Sequence, residues 1–182
     1  RDLASGRVVF SHNPDKLFVP GSTTKLVTAG AALMRLGPEH RFKTAVYAAG
    51  DVDAGGVLKG DLVLVASGDP NLSNRLQADG TLAFRDEDHS YGGPALPGDA
   101  LAVLRGLAAQ VAGRGIRRIT GHVLVDASMF PEGEREGGTG VVISPIVVND
   151  NVVDLELSPG PSAEAPTRLA VSPATGYVRF AN

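Results

Sequence analysis

The chain of 182 residues contains no cysteine and no tryptophan, and aromatic residues make up only 5% of it. Without cysteine, disulfide bonds and thiolate metal sites are excluded. The four histidines stand far apart in the sequence and lack the spacing of a metal site: His12, His40, His89 and His122. Because no phosphate-binding loop or dinucleotide fingerprint is present either, we expect neither a metal ion nor a cofactor.

Long apolar runs and an excess of basic charge are also missing. The longest unbroken apolar runs, such as residues 62–66, are far too short to span a bilayer, so we expect no transmembrane segment. A net charge of −3 and a pI of about 5.8 do not favour nucleic acid as a partner. No signal peptide is present, but the chain begins abruptly at Arg1, which is consistent with removal of a leader.

Hydrophobic residues make up 43% of the chain and charged residues 20%, which is typical of a globular protein. Apolar spacing predicts two helices, one over residues 22–36 that ends at Gly37 and Pro38, and one over residues 99–112 with Asp99 as its N-cap. A long loop is expected over residues 68–98. Strands are predicted over residues 42–48, 57–66, 116–126, 152–157, 167–171 and 177–180. The fold class is therefore α/β or α+β.

The first predicted helix carries the most informative pattern in the chain. Residues 20–25 read Pro-Gly-Ser-Thr-Thr-Lys, which places Ser22 at the start of the helix and Lys25 one turn inside it. Residues three apart lie on the same helix face, and a serine is a weak nucleophile until a neighbouring base takes its proton. The helix is apolar on nearly every side, so we expect it to be buried.

The spacing of Ser22 and Lys25 alone leaves two interpretations open. The pair is either a nucleophile with its base, or a helix-capping serine beside an exposed lysine. A Ser-His-Asp triad assembled across the fold also stays open, although the chain has no Gly-x-Ser-x-Gly elbow.

Longer stretches of sequence resemble a known enzyme family. They begin with Val-Pro-Gly-Ser-Thr-Thr-Lys-Leu-Val-Thr-Ala at residues 19–29 and continue through 36–44, 56–62, 68–72, 115–116 and 119–130, with a looser match over 144–151. In this order they closely resemble the serine D-Ala-D-Ala carboxypeptidases of the penicillin-binding protein 4 type, peptidase family S13.

The resemblance implies a division of the chain into three parts. Residues 1–40 would be the N-terminal segment of a penicillin-binding catalytic domain, which has the β-lactamase/transpeptidase-like fold. Residues 41–150 would form a large mixed α/β inserted domain. Residues 151–182 would start a strand-rich domain nested inside that insert.

The resemblance also implies the chemistry. A protein of this family is a serine-type D-Ala-D-Ala carboxypeptidase or endopeptidase, which cuts peptidoglycan stem peptides through an acyl-enzyme and is acylated by β-lactam antibiotics. Ser22 would be the nucleophile, Lys25 the general base in its neutral form, and the Ser22 backbone N–H half of the oxyanion hole. The family acts in the cell envelope, so a periplasmic or extracellular location is expected.

The sequence also departs from the family pattern. The Ser-x-Asn and Lys-Thr-Gly motifs that the family needs do not follow Lys25, and residues 132–140 lack the Trp and Asp that relatives often carry there. We therefore expect the 182-residue chain alone to be inactive. Two alternatives are a serine β-lactamase or esterase that shares the Ser-x-x-Lys helix, and a non-catalytic cell-wall-binding protein with the same fold.

Overall fold

The first helix, α1, spans Thr24–Leu36 and follows a 3-10 turn over Gly21–Thr23. Gly37 ends it with φ 81, a left-handed conformation that glycine adopts without a steric penalty. The helix predicted over residues 22–36 is therefore confirmed, with Ser22 in the 3-10 turn rather than in α1 itself.

The prediction that α1 is buried is wrong for this structure. None of its 13 residues is buried, and Leu26 and Met34 are 77% and 89% exposed. Residues 1–20, all described, form turns and irregular chain rather than strands or a second helix. The apolar pattern therefore shows which surface of α1 is able to become buried. Residues 1–20 form no helix or strand that covers this surface.

The computed structural model describes residues 1–73, 79, 99–135, 140, 142–162 and 165–180. They form two compact units, Arg1–Arg41 and Phe42–Asn182. The division lies beside the boundary expected after residue 40, and the assignment of the three segments to domains stays a prediction. Most of the loop expected over residues 68–98 lies outside the described residues. Among the helices that are described, none is long and apolar enough to cross a membrane.

The larger unit is built on an antiparallel hairpin of β1, Ala45–Val52, and β2, Val57–Val65. Its turn is closed by Asp53, whose Oδ1 accepts hydrogen bonds from the backbone N–H groups of Gly55 and Val57, both at 3.0 Å. The Val57 N–H, followed by Gly55 and the nearby Lys59, lowers the pKa of Asp53.

Two glycines face each other in the middle of this hairpin. Gly50 pairs with Gly60, and their φ angles are 149° and 156°. A Cβ on Gly60 would collide with the carbonyl oxygen of Ala49, and one on Gly50 would collide with that of Lys59. The backbones approach so closely here that no side chain can be accommodated at either position.

The opposite edge of β2 pairs with two short parallel strands, β3, Arg118–Ile119, and β4, Val123–Asp126. The sequence left open a strand pair or one bent strand over residues 116–126, and the structure shows a single strand line interrupted between β3 and β4. At the interruption, Asp61 Oδ1 accepts a hydrogen bond of 2.8 Å from the His122 backbone N–H.

The second helix, α2, spans Ala102–Gly113 in the connection between β2 and β3. Before it, Asp99 accepts a hydrogen bond from the Leu101 N–H at 3.0 Å and forms a bidentate ion pair with Arg105 at 2.6 and 2.7 Å, and this pair lowers the pKa of Asp99. An apolar cavity of about 530 Å³ between α2 and the sheet is lined by Leu62, Leu64, Leu104, Val111, Val123 and Val125, among others.

A separate two-stranded antiparallel sheet consists of β5, Asp154–Ser158, and β6, Arg168–Ser172. These strands confirm the predictions over residues 152–157 and 167–171, whereas residues 177–180 are not a strand. A turn over Asn149–Asn151, with positive φ at all three residues, precedes β5. Fully buried side chains lie on β2 (Leu58) and in the loops beside this turn (Leu72 and Pro145).

The glycine pair predicts a matched pair of stability effects. Gly60→Ala should lower the free energy of unfolding by about 2–3 kcal/mol, because the backbone is strained and the new Cβ collides with β1. Gly106→Ala adds the same methyl group inside α2, where no atom lies within 4 Å of the new Cβ. It should raise the unfolding free energy by roughly 0.5–1 kcal/mol. Urea unfolding of both variants checks this, and equal effects would contradict it.

The Asp53 turn predicts a dependence of stability on pH. A carboxylate whose pKa is lower in the folded state stabilises the fold above the unfolded value of about 3.9, and this contribution is lost as the pH falls through the folded value. Asp53→Asn keeps an acceptor in the turn but cannot titrate. Its urea midpoint should therefore fall less between pH 5 and about pH 2 than that of the wild type, and parallel pH curves would contradict the prediction.

Candidate active site

Ser22 lies in the middle of the 3-10 turn Gly21–Thr23, and the chain runs from this turn directly into α1. Pro20 precedes the turn in right-handed helical conformation, with φ −72° and ψ −20°. Proline is pre-organised for such a position, because its φ is fixed and its missing N–H is not needed at a helix start. The local sequence thus places Ser22 at the open end of the helix.

Lys25 lies in the first turn of α1 and reaches back to the serine. Its Nζ donates a hydrogen bond to Ser22 Oγ at 3.3 Å. Both side chains are exposed in the structure. The structure thus brings together the two residues that the sequence spacing selected, in a contact made within one helical turn.

The backbone at this helix start favours negative charge. The first N–H groups of a helix have no intrahelical acceptor, and the helix dipole places partial positive charge there. Thr23 N–H donates to the Pro20 carbonyl oxygen at 3.2 Å, which closes the turn that carries Ser22. The Ser22 N–H therefore belongs to the group of donors that could bind an anionic oxygen next to Ser22 Oγ.

Gly21, directly before Ser22, has a backbone conformation that the sequence analysis did not single out. Its φ is 52°, and no atom lies within 4 Å of a Cβ built at this position. The glycine is therefore needed for backbone conformation rather than for space. The available signal was the Pro-Gly pair directly before a helix, which marks a left-handed residue at the point where the chain turns.

Histidine and acidic side chains are the other candidates that the sequence offers for a site. Among the described residues, no group of three or more His, Asp or Glu side chains could hold a metal ion. His122 Nδ1 lies 3.5 Å from Asp61 Oδ1 at the interruption of the β3–β4 line. His89 and part of the loop 132–140 lie outside the described residues.

The comparison with protein families concerns the whole chain and not only the helix start with Ser22 and Lys25. All residues, 1–182, match the model of the D-Ala-D-Ala carboxypeptidase 3 (S13) family. The chain therefore belongs to this family.

Individual relatives agree with the assignment. The chain is 29% identical over 195 residues to a D-alanyl-D-alanine carboxypeptidase of Actinomadura sp. (strain R39), a match that covers 100% of this chain and 31% of the relative. It is 24% identical over 135 residues to D-alanyl-D-alanine carboxypeptidase DacB of Haemophilus influenzae, covering 74% of this chain and 22% of the relative.

The mixed α/β fold resembles that of a solved structure. The crystal structure of penicillin binding protein 4 (dacB) from Haemophilus influenzae aligns with a TM-score of 0.56 and 23% identity, over 85% of this chain and 30% of that chain. The 182-residue chain thus spans less than a third of the length of the relatives named here.

The conformation of Gly21 predicts how the helix start responds to substitution. Gly21→Val should open the first turn of α1, because a β-branched residue is strongly disfavoured at positive φ. A cost of roughly 1–2 kcal/mol corresponds to about 5–30-fold faster amide exchange at residues 23–26. Gly21→Asn is the matched control and should have a smaller effect, since asparagine tolerates this conformation. Exchange rates that do not differ between the two variants would contradict the prediction.

Proposed function

We propose that the natural protein carrying this sequence is a serine-type D-Ala-D-Ala carboxypeptidase or endopeptidase that cuts peptidoglycan stem peptides. The observation that carries the proposal is the 3.3 Å contact between Ser22 Oγ and Lys25 Nζ at a helix start, in a chain that matches the S13 family over its full length. The contact supplies a nucleophile and a base, and the family supplies the reaction class.

In the first step, neutral Lys25 takes the proton from Ser22 Oγ while this oxygen attacks the carbonyl carbon of the bond between the two D-Ala residues. The carbonyl oxygen gains negative charge, and the Ser22 backbone N–H is one donor that stabilises it. The bond to the terminal D-Ala then breaks as its nitrogen takes the proton that Lys25 received from Ser22, so D-Ala leaves as an amine and Lys25 is neutral again. Water hydrolyses the resulting ester and restores the Ser22 hydroxyl.

The same geometry accounts for the proposed partners. A β-lactam ring presents a strained amide carbonyl to the nucleophile, so Ser22 would form a stable acyl-enzyme with penicillins. The proposed substrate is a peptidoglycan peptide ending in D-Ala-D-Ala. Since peptidoglycan lies outside the cytoplasmic membrane, we place the protein in the cell envelope, either in the periplasm or outside the cell.

A serine β-lactamase or esterase is the second enzyme to consider, because the Ser-x-x-Lys helix serves those reactions as well. The match over residues 1–182 favours the carboxypeptidase, since it continues far beyond that helix. A non-catalytic wall-binding protein would need no contact between Ser22 and Lys25, whereas the structure has one.

The test is labelling of the natural protein with a fluorescent penicillin, combined with an assay for free D-Ala released from a peptide ending in D-Ala-D-Ala. We expect covalent label and D-Ala release from the wild type and neither from Ser22→Ala. Lys25→Ala should slow acylation by about 10²–10⁴-fold, the range for loss of a general base.

Two matched controls separate these effects from changes in folding. Thr28→Ala removes a hydroxyl from the same helix, and Lys16→Ala removes an exposed lysine from the same unit. Both should label like the wild type. Label that survives Ser22→Ala would exclude Ser22 as the nucleophile. Rapid penicillin turnover without D-Ala release would identify a β-lactamase instead.

A further inference from the structure

The turn before β5 contains three successive residues in left-handed conformation. Asn149, Asp150 and Asn151 have φ angles of 51°, 52° and 56°. Residues with a Cβ adopt this conformation rarely and usually singly, although Asn and Asp tolerate it best. Three in a row persist only where the surrounding structure holds them in place. The contacts of this turn therefore identify the segments that hold it in this conformation.

Asn149 fixes the turn to the strand that follows. Its side chain is buried, with 8% of the residue exposed. Its Nδ2 donates to the Val152 carbonyl oxygen at 3.1 Å and to Asp154 Oδ2 at 2.8 Å. Asp154 is the first residue of β5. A buried amide that satisfies two acceptors is costly to separate from them, so it resists motion between the turn and β5.

Asn151 fixes the same turn to the segment that precedes it. Its Oδ1 accepts a hydrogen bond from the Val148 N–H at 3.2 Å. Its Nδ2 donates to the carbonyl oxygens of Val142 and Ile146 at 3.3 and 3.4 Å. One side chain thus bonds to three points of the incoming loop, and the two asparagines together bind the turn on both sides.

The incoming loop is in turn attached to the end of β2. Pro145 is fully buried, and its carbonyl oxygen accepts a hydrogen bond from the Gly68 N–H at 2.9 Å. Gly68 lies three residues beyond the end of β2. The 3-10 turn Pro70–Ser73 that follows contacts the turn Asn149–Asn151, and its Leu72 is buried. Hydrogen bonds and buried contacts therefore connect the segment after β2, through the loop before the turn Asn149–Asn151, to the start of β5.

The hydrogen-bonded turn lies where a boundary between two segments is expected. The family resemblance implies that the third segment begins at residue 151, and a boundary between segments is normally an exposed linker that allows relative motion. Here the boundary falls inside a strained turn whose side chains are hydrogen-bonded on both sides. We propose that residues 142–154 form a stiff joint, which holds the β5–β6 sheet in one fixed position relative to the β1–β4 sheet.

The joint can be tested by distance measurements on this chain, because it has no native cysteine. Spin labels on Ala48→Cys in β1 and Ala170→Cys in β6 report the separation of the two sheets through double electron–electron resonance. Both positions are exposed. The wild-type turn should give one narrow distance distribution. Asn149→Gly/Asn151→Gly removes both amides but keeps residues that tolerate positive φ, and it should broaden the distribution at least twofold.

Asn13→Gly is the matched control. Asn13 is also a left-handed asparagine, with φ 47°, but it lies in the other unit. It should leave the distribution unchanged, while circular dichroism shows that each variant is folded. A broad wild-type distribution, an unchanged double variant, or equal broadening by Asn13→Gly would each overturn the proposal. The width of the distance distribution with the natural turn is measured without any substitution in the turn. It therefore tests the proposal even if the double variant fails to fold.

Discussion

Backbone hydrogen bonding along both edges of β2 is the interaction on which the larger unit depends. The strand pairs antiparallel with β1 on one side and parallel with β3 and β4 on the other. A parallel neighbour requires a long crossover, and α2 lies within that connection. The close approach at Gly50 and Gly60 fits β1 to β2. The end of β2 leads to Gly68, through which the loop before the second sheet is attached.

The candidate active site depends on a different and much more local constraint. The helix geometry of residues 22–25 alone is enough to bring a serine oxygen to 3.3 Å from a lysine amine. Such a pair tolerates changes elsewhere in the fold, because no distant element has to supply either partner. The Ser-x-Asn and Lys-Thr-Gly motifs of the family pattern do not follow Lys25 within the 182 residues.

Sequence patterns predicted elements well where local signals agree with each other. The start and end of α1 follow from Pro20 and Gly37, and β2 spans nearly the same residues as the strand predicted over 57–66. The burial of α1 was predicted wrongly, because apolar periodicity shows which surface a helix can bury but not which layer covers it. Over residues 116–126 the sequence left open a strand pair or one bent strand. At the interruption found there, the His122 N–H bonds to Asp61, which lies far away along the chain, and a local pattern does not reveal such a contact.

The sequence by itself determined the family and the mixed fold class, through motifs and apolar spacing that recur along the whole chain. It also determined the pairing of Ser22 with Lys25, because these residues lie only three positions apart at a helix start. Only the tertiary structure showed that Gly50 faces Gly60 and that β3 and β4 share one edge of β2. It also revealed that Asn149 and Asn151 bind the turn between the two sheets on both sides. The physical reason is that these features are contacts between segments, and hydrogen bonds between segments leave no periodic trace in either one.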